Sequence, residues 1–446
     1  MSRTETTAVI LAAGMGTRMK SGIPKVMHPL AGRPMINHVL ATLEHLGISN
    51  ICTVISPVMD SVAAAVAPHV TAVQHKALGT GNAVLSARDA VGDVEGDVLV
   101  LFGADPLVSP ETLSGMLERR HATDNPAVVV LGFRPQDPGT YGRLVTDADG
   151  NLEAIVEAKE ATPEQLAIPL CNAGFMAIDG RKIWDLLDRV GKDNAKGEYY
   201  LTDIIALARA DGDVCALVEG SEEELHGVDS RADLAIAEQF VQHALRQAAM
   251  DGGCTLIDPD TVYFSHDTVL GQDVVIEPSV FFGPGVVIGD TVTIKAFSHL
   301  ENSTIAANVS IGPFARLRGG VEIGESARIG NFVEIKNATF AAGAKMAHLS
   351  YVGDASVGAK ANIGAGTITC NYDGVNKSRT DIGAGAFIGS NTALVAPVSI
   401  GAGAIVGAGS TITKDVEADS LAVTRAEQRS VPGWAAKFRK TTKKKT

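Results

Sequence analysis

Aromatic residues are scarce in this 446-residue chain, at 5%, and no apolar run approaches the roughly 18 residues needed to span a bilayer. A large aromatic core and a membrane span both drop out of the expectations. Cysteine is sparse as well: Cys52, Cys171, Cys215, Cys254 and Cys370 are odd in number and scattered. No CxxC spacing suggests zinc and no paired framework suggests disulfides, so reduced thiols are expected. Positive charge is in the minority, with a net charge of −13. Such a surface repels phosphate backbones, which excludes nucleic acid as a general partner. The one basic block, "KFRKTTKKKT" (437–446), reads as a solvated, disordered end. "MSRTETTAVILAAG" lacks a signal-peptide pattern, because its apolar run is short and leads into glycines. Cytoplasm is the expected compartment.

What is abundant is glycine, 47 residues, within a chain that is 46% hydrophobic and 20% charged. That composition describes a foldable globular protein, too long for a single core. Up to about residue 230, short β-branched runs such as "AVILAA" (8–13), "ICTVIS" (51–56), "DVLVLFG" (97–103) and "AVVVLGF" (127–133) alternate with helix-like stretches, "MINHVLATLEHLG" and "TGNAVLSARDAV" among them. The alternation predicts an α/β domain with a mainly parallel sheet. Ligands of such sheets collect at the carboxyl ends of the strands. "RADLAIAEQFVQHALRQAAMDGG" (231–253) has helical apolar spacing and stops at a glycine pair, as a connecting helix would.

Beyond it the period becomes six. Leu270, Ile276, Phe282, Ile288, Ile294 and Leu300 are followed, after a five-residue step, by Ile305, Ile311, Leu317, Ile323, Ile329 and Ile335. Ile382, Ile388, Leu394, Ile400, Val406 and Ile412 resume the series. A hexad repeat predicts a parallel β-helix, three hexads to a triangular coil, with aliphatics inside and small residues or glycine at the corners. Two stretches interrupt it: "NATFAAGAKMAHLSYVG" (337–353), which loosens the register, and the polar "TCNYDGVNKSRT" (369–380). Insertions in a solenoid become loops, often on its binding face.

"LAAGMGTRM" places a glycine turn directly after a strand, exposing backbone N–H groups that can hold phosphate oxygens. It is neither a Walker A motif nor a GxGxxG fingerprint. A bare "GMG" also suits a plain strand–helix turn. Arg18 and Lys25, two cations just beyond it, favour a triphosphate whose charge must be neutralised during transfer. In the second half, a neutral histidine suits deprotonation of an amine near pH 7. His348 lies in the first interruption, and hexad geometry places Arg318, Lys336, Tyr351 and Asn362 on successive coils around it, where the two cations suit a phosphate group.

"LAAGMGTRM…PK" resembles the sugar-nucleotide pyrophosphorylases. With "QHKALGTGNAV" (74–84), "YGRLV" (141–145), "IVEAKEAT" (155–162), "NAGFM" (172–176), "GEYYLTDII" (197–205) and the hexads, the chain is similar to the bifunctional members. Those carry an N-acetylglucosamine-1-phosphate uridylyltransferase domain and a glucosamine-1-phosphate N-acetyltransferase domain, and together supply UDP-N-acetylglucosamine for cell-wall and lipopolysaccharide building. The resemblance covers about residues 8–430. It implies a Rossmann-like nucleotidyltransferase domain (1–228), a linker helix (229–252) and a left-handed parallel β-helix of hexapeptide repeats (253–446).

The same resemblance implies roles. Leu11, Ala12, Ala13 and Gly14 would lie along the uracil and phosphates of UTP, and Gln74, Gly79 and Thr80 would select the uracil. Gly142, Glu157 and Asn172 would hold the sugar. Arg18 and Lys25 would offset charge as pyrophosphate leaves, and Mg²⁺ would bridge the phosphates on Asp105 and Asp229. Both metal positions depart from the family pattern. "FGADPL" sets Ala104 in the usual aspartate slot with Asp105 one place later, and Asp229 stands where asparagine is more frequent. A one-place shift along a strand turns a carboxylate to the other face, unless the strand is already ending there.

In the second half His348 would be the general base, with Glu334 helping to orient the site and Asn371 and Tyr372 meeting substrate. Ala365, Ser390, Ala408 and Arg425 would line the acetyl-CoA groove. Here "MAHL" replaces a usual glycine before the histidine, and Gly319 stands where proline is usual. The substrates implied are glucosamine-1-phosphate, N-acetylglucosamine-1-phosphate, UTP and acetyl-CoA, and the assembly implied is a homotrimer. Two other readings are a pyrophosphorylase whose coil serves only assembly, and a scaffold with a degenerate first domain. His348, Lys336, Tyr351 and "CNYDG" weigh against the former, and Lys25 among intact motifs against the latter.

Overall fold

The structure, a computed structural model, describes residues 5–442. It divides into two compact units between Ala244 and Leu245. In the first, the β-branched runs become strands β1 (Thr6–Leu11), β2 (Asn50–Ile55), β3 (Val70–Val73), β4 (Asp97–Phe102), β5 (Val128–Phe133), β6 (Arg143–Thr146), β7 (Leu152–Val156), β8 (Cys171–Asp179) and β9 (Cys215–Glu219). Seven lie in the order β9-β5-β8-β4-β1-β2-β3, with β6 and β7 attached beside β8. Strand β1 runs parallel to both β2 and β4, while β8 is antiparallel to β4 and β5. The sheet is therefore mainly parallel, as its alternating pattern predicts.

Burial on both faces explains why these strands read as continuous apolar runs rather than alternating ones. Ala8 and Ile10 of β1 enter one core cluster, and Val9 and Leu11 enter the other. Helices α1 (Met35–His45), α2 (Thr80–Leu85) and α3 (Pro110–Arg120) are among those flanking the sheet. Ser109 caps α3 by accepting from the Thr112 N–H, with Pro110 in the first turn. "TGNAVLSARDAV" forms two short helices, Thr80–Leu85 and Arg88–Val91, rather than one.

Helix α4 (Arg231–Asp251) contains the boundary between the units. Ala237 is buried in a core cluster of the first unit, whereas Leu245, Ala249 and Met250 pack against the core of the second.

In the second unit the hexads build a parallel β-helix. Val275 pairs with Thr293, Thr293 with Ser310, Ser310 with Arg328 and Arg328 with Lys345, so each coil spends 17 or 18 residues. The hexad series from Ile276 onward is buried throughout, Leu270 at the mouth being partly covered. The stretch 337–353 does not break the coil: Phe340, Met346 and Val352 replace the usual isoleucines inside it. The polar stretch does. Asn362 pairs with Phe387, an offset of 25, and the surplus is the loop between strands Ile368–Cys370 and Thr380–Ile382.

The corners overturn one expectation. Phe297, Phe314, Phe332 and Leu349 all turn with left-handed φ, from 48° to 60°, where bulky side chains are rare. Corner side chains project outward, so they do not crowd the turn, and they stack. Phe297 on Phe314 and Phe314 on Phe332 have centroids 5.0 and 4.9 Å apart, within 11° of parallel. A second correction concerns the basic end. Residues 434–442 form a helix, on which Trp434 and Phe438 stack at 5.1 Å; residues 443–446 lie outside the described residues.

Candidate active sites

At the carboxyl end of β1 the chain turns into the glycine loop, and Ala12 N–H donates to Val54 O at 2.9 Å. Gly14 has open space beside it. At Gly16 (φ 68°) a Cβ would strike the Lys25 side chain. The missing side chain thus lets Lys25 lie against the loop. Arg18 and Lys25 stand on two short 3₁₀ turns, Thr17–Met19 and Lys25–Met27, pinned by buried Met19 and Val26.

Both cations converge on Asp229, just ahead of α4. Lys25 Nζ donates to its Oδ1 at 2.7 Å, and Arg18 Nη2 lies 2.8 Å from its Oδ2. Burial alone would raise the Asp229 pKa, but Lys25 and then Arg18 outweigh it and hold the carboxyl below its usual range. Asp105 joins them. Strand β4 ends at Phe102, and the chain turns through Gly103 and Ala104, whose carbonyl accepts from Val228 N–H. The half-buried Asp105 carboxyl rests beside Gly227, where a Cβ would come within 3.0 Å of Oδ1. Desolvation pushes its pKa up to about 7, with Lys25 opposing and Asp229 reinforcing. The shift along "GADP" therefore does not turn the carboxylate away, because the strand has already ended.

Two carboxylates beside two cations make a sparse donor set, and no cluster of three ligating side chains occurs among the described residues. Mg²⁺ takes only one or two carboxylates when phosphates complete its shell, so the pair fits that ion.

Gln74 is buried, and its amide donates to Gly79 O (3.2 Å) and Asn82 Oδ1 (3.0 Å). Gly79 (φ 109°) packs on the Tyr199 backbone, and Thr80 Oγ1 accepts from Leu201 N–H. "GEYYLTD" thus braces Gly79 and Thr80, and Gln74 is held in turn by Gly79 and Asn82. On the other side Asn172 N–H donates to Gly142 O at 2.8 Å, and Asn172 Oδ1 accepts from Gly174 N–H. A bulge in β8 separates Asn172 from Met176. Glu157 follows β7; burial raises its pKa, with Lys196 opposing and Glu160 and Asp203 reinforcing.

In the second unit one corner of the coil changes character along its length. Below lie the stacked Phe297, Phe314 and Phe332. Above, the same left-handed position is held by Leu349, Gly366, Asn391 and Gly409. Ala365, Ser390 and Ala408 each stand one residue before it, in register with Asn331 and His348; Asn391 N–H donates to Ala365 O (2.7 Å) and Gly409 N–H to Ser390 O (2.8 Å). His348 stands at the changeover, exposed, and Arg425 donates to Ala408 O at the far end. The rings thus give way to glycine and asparagine above His348.

On the adjoining face Arg318 Nε donates to Glu334 Oε1 at 2.7 Å. Lys336 pairs in register with Arg318 and with Gly353, while Tyr351 lies over Gly353, which leaves room for its ring. Asn371, from the polar loop, donates to Asp354, as does Asn337 at 2.7 Å. Tyr372 is exposed, its hydroxyl donating to Gly374 O. Asn362 lies on the His348 face, between Lys345 and Phe387 in the ladder. Glu334 thus holds arginines rather than the histidine.

Three residues here escape the sequence reading. Lys377 lies against Lys336 and is the main cause holding that lysine below its ordinary pKa. Asp354 anchors Asn371. Asn331 Oδ1 lies 2.8 Å from His348 Nδ1. The coil offset carries a signal for Asn331, since stepping back 17 residues from His348 lands on it.

Comparison with known proteins gives a MobA-like NTP transferase domain over residues 8–164 and bacterial transferase hexapeptide repeats over 302–337 and 379–414. The hexapeptide match agrees with the left-handed class of parallel β-helix. The chain is 61% identical to the bifunctional protein GlmU of Paramagnetospirillum magneticum and 62% identical to that of Rhodospirillum rubrum, covering 98% of each partner in both cases. The bifunctional protein GlmU of Azorhizobium caulinodans is 54% identical, also over 98% of both chains.

Proposed function

Because the chain belongs to the family of bifunctional GlmU proteins, we propose that it acetylates glucosamine-1-phosphate with acetyl-CoA and then couples the product to UTP, giving UDP-N-acetylglucosamine and pyrophosphate. We assign uridylyl transfer to residues 1–228, a linker to 229–252 and acetyl transfer to 253–446. The observation that carries the reading is the pair of separate reaction centres: Lys25, Arg18, Asp229 and Asp105 in one unit, and His348 at the changeover of a coil corner in the other.

In the first reaction a phosphate oxygen of the sugar attacks the α-phosphorus of UTP, and the bond to pyrophosphate breaks. Leu11, Ala12, Ala13 and Gly14 bring backbone to the nucleotide; Gln74, Gly79 and Thr80 read the uracil; Gly142, Glu157 and Asn172 take the sugar. Substrate phosphates draw Lys25 and Arg18 off Asp229, so charge neutralisation is preformed and merely exchanged. Asp105 and Asp229 would hold Mg²⁺, which when bound supplies charge neutralisation across the phosphates.

In the second reaction the amine attacks the thioester carbonyl, His348 accepts the amine proton, and the proton leaves with the coenzyme A thiol. Arg318 and Lys336, joined by Lys377, hold the sugar phosphate; Tyr351, Asn362, Asn371 and Tyr372 face the sugar. Ala365, Ser390, Ala408 and Arg425 line the acetyl-CoA groove. A homotrimer is supported by the exposed aromatic stack of Phe297, Phe314 and Phe332, 57%, 44% and 54% exposed in the single chain. Five unpaired cysteines support a reducing compartment, the cytoplasm, and no helix among the described residues is long and apolar enough to cross a membrane.

The test mixes glucosamine-1-phosphate, acetyl-CoA, UTP and Mg²⁺ with the protein and follows thiol and pyrophosphate release separately. Both are expected. Pyrophosphate only from pre-acetylated sugar would remove the acetyl step, and thiol without pyrophosphate would remove the uridylyl step.

A further inference from the structure

Asn331 and His348 occupy successive coils and are paired directly in register. The Asn331 side-chain oxygen lies 2.8 Å from Nδ1 of the imidazole. An amide oxygen carries no hydrogen, so the shared hydrogen belongs to the ring. The neutral imidazole is then held with its hydrogen on Nδ1 and its lone pair on Nε2. From this we infer that Asn331 is a positioning residue for acetyl transfer, fixing the tautomer and orientation in which Nε2 of His348 takes the amine proton. The inference rests on the reading of His348 as general base.

The surrounding backbone leaves the pair little freedom. Leu349 N–H donates to Asn331 O at 3.0 Å, and Ser350 Oγ donates to His348 O at 2.7 Å. Gly330, just before Asn331, has no room for a Cβ against the Ala347 carbonyl, so the two coils approach as closely as backbone allows. The nearby carboxylate is committed elsewhere: Glu334 takes Arg318 at 2.7 Å, with Arg316 at 3.9 Å. A neutral amide also orients the ring without adding a charge that would retain the proton once taken. Asparagine therefore supplies direction, and leaves the base free to give the proton up.

The test uses the full chain and three variants, Asn331→Leu, Asn331→Asp and His348→Ala. Leucine keeps the volume and loses the acceptor, while aspartate keeps an acceptor oxygen. Nitrogen-15 NMR, with His348 assigned by its disappearance in His348→Ala, is expected to show hydrogen on Nδ1 in the parent protein. Asn331→Leu is expected to mix the tautomers and to lower kcat of the acetyl step about tenfold or more, with KM for glucosamine-1-phosphate nearly unchanged. Asn331→Asp is expected to restore the Nδ1–H form but only part of the lost kcat, because its charge retains the proton. A denaturant titration of each variant reports folding of the second unit. Hydrogen on Nε2 in the parent protein overturns the inference. So does full acetyl activity in Asn331→Leu when His348→Ala has none, a result that leaves the base assignment standing. Acetyl transfer by His348→Ala removes the base assignment and the inference together. If Asn331→Leu fails to fold, the parent spectrum and Asn331→Asp decide.

Discussion

In the proposed reactions Lys25 and His348 each have a role that the neighbouring side chains support but do not duplicate. Lys25→Ala is expected to lower pyrophosphate release about 10²- to 10³-fold, the usual cost of one charge-stabilising donor, and to leave thiol release unchanged. His348→Ala is expected to lower thiol release about 10²- to 10⁴-fold and to spare uridylyl transfer from pre-acetylated sugar. Loss of both activities in either variant would count against separate centres. Cysteines make a different prediction at the same scale. Burial pushes the Cys52 thiol up to about 11 and the Cys215 thiol up to about 12, whereas an unfolded thiol ionises near about 8.5. The folded state therefore favours the protonated form, and this contribution is complete below about pH 8.5. It is lost as pH rises, through about 11 for Cys52 and about 12 for Cys215. Thermal melts across that range are expected to decline less steeply in the double variant Cys52→Ala, Cys215→Ala than in the parent protein; equal slopes would refute the assignment.

Elements carry these residues with different degrees of rigor. Ile329 is 1% exposed inside its coil, so Ile329→Ala is expected to cost about 2–5 kcal/mol in the unfolding of the second unit, read by denaturant titration. The hexads were legible from sequence because one property, an inward aliphatic every sixth residue, repeats with few exceptions. The first-unit strands were legible for a related reason, their apolar runs being buried on both faces. Corner residues were not. Glycine and asparagine are the ordinary occupants of left-handed φ, and only the stacking of Phe297, Phe314 and Phe332 between coils shows why phenylalanine holds there. Asp105 was half legible: the motif supplied the carboxylate, but where β4 stops decided its direction. Asn331 and Lys377 went unread because their partners come from another coil and from across an inserted loop.

On the scale of the whole molecule, the two chemistries differ in what they demand of solvent. Chelating divalent cations is expected to stop pyrophosphate release and leave thiol release intact, since the proposed metal-binding pair, Asp105 and Asp229, belongs to the first centre. Mass measurement of the purified protein is expected to give three times the chain mass, and Phe314→Asp, placing charge in the exposed stack, is expected to shift it toward one. A single-chain mass for the parent protein would remove the trimer.

One corner of the coil reads like a ruler. Phenylalanines mark the lower rungs, the leucine that follows His348 marks the zero, and glycine and asparagine mark the rungs above. Since every rung is interchangeable with its neighbour in height, splicing in a whole extra turn beneath Phe297 should carry His348 upward with its surroundings intact. Removing a single residue there would instead skew every rung above the cut.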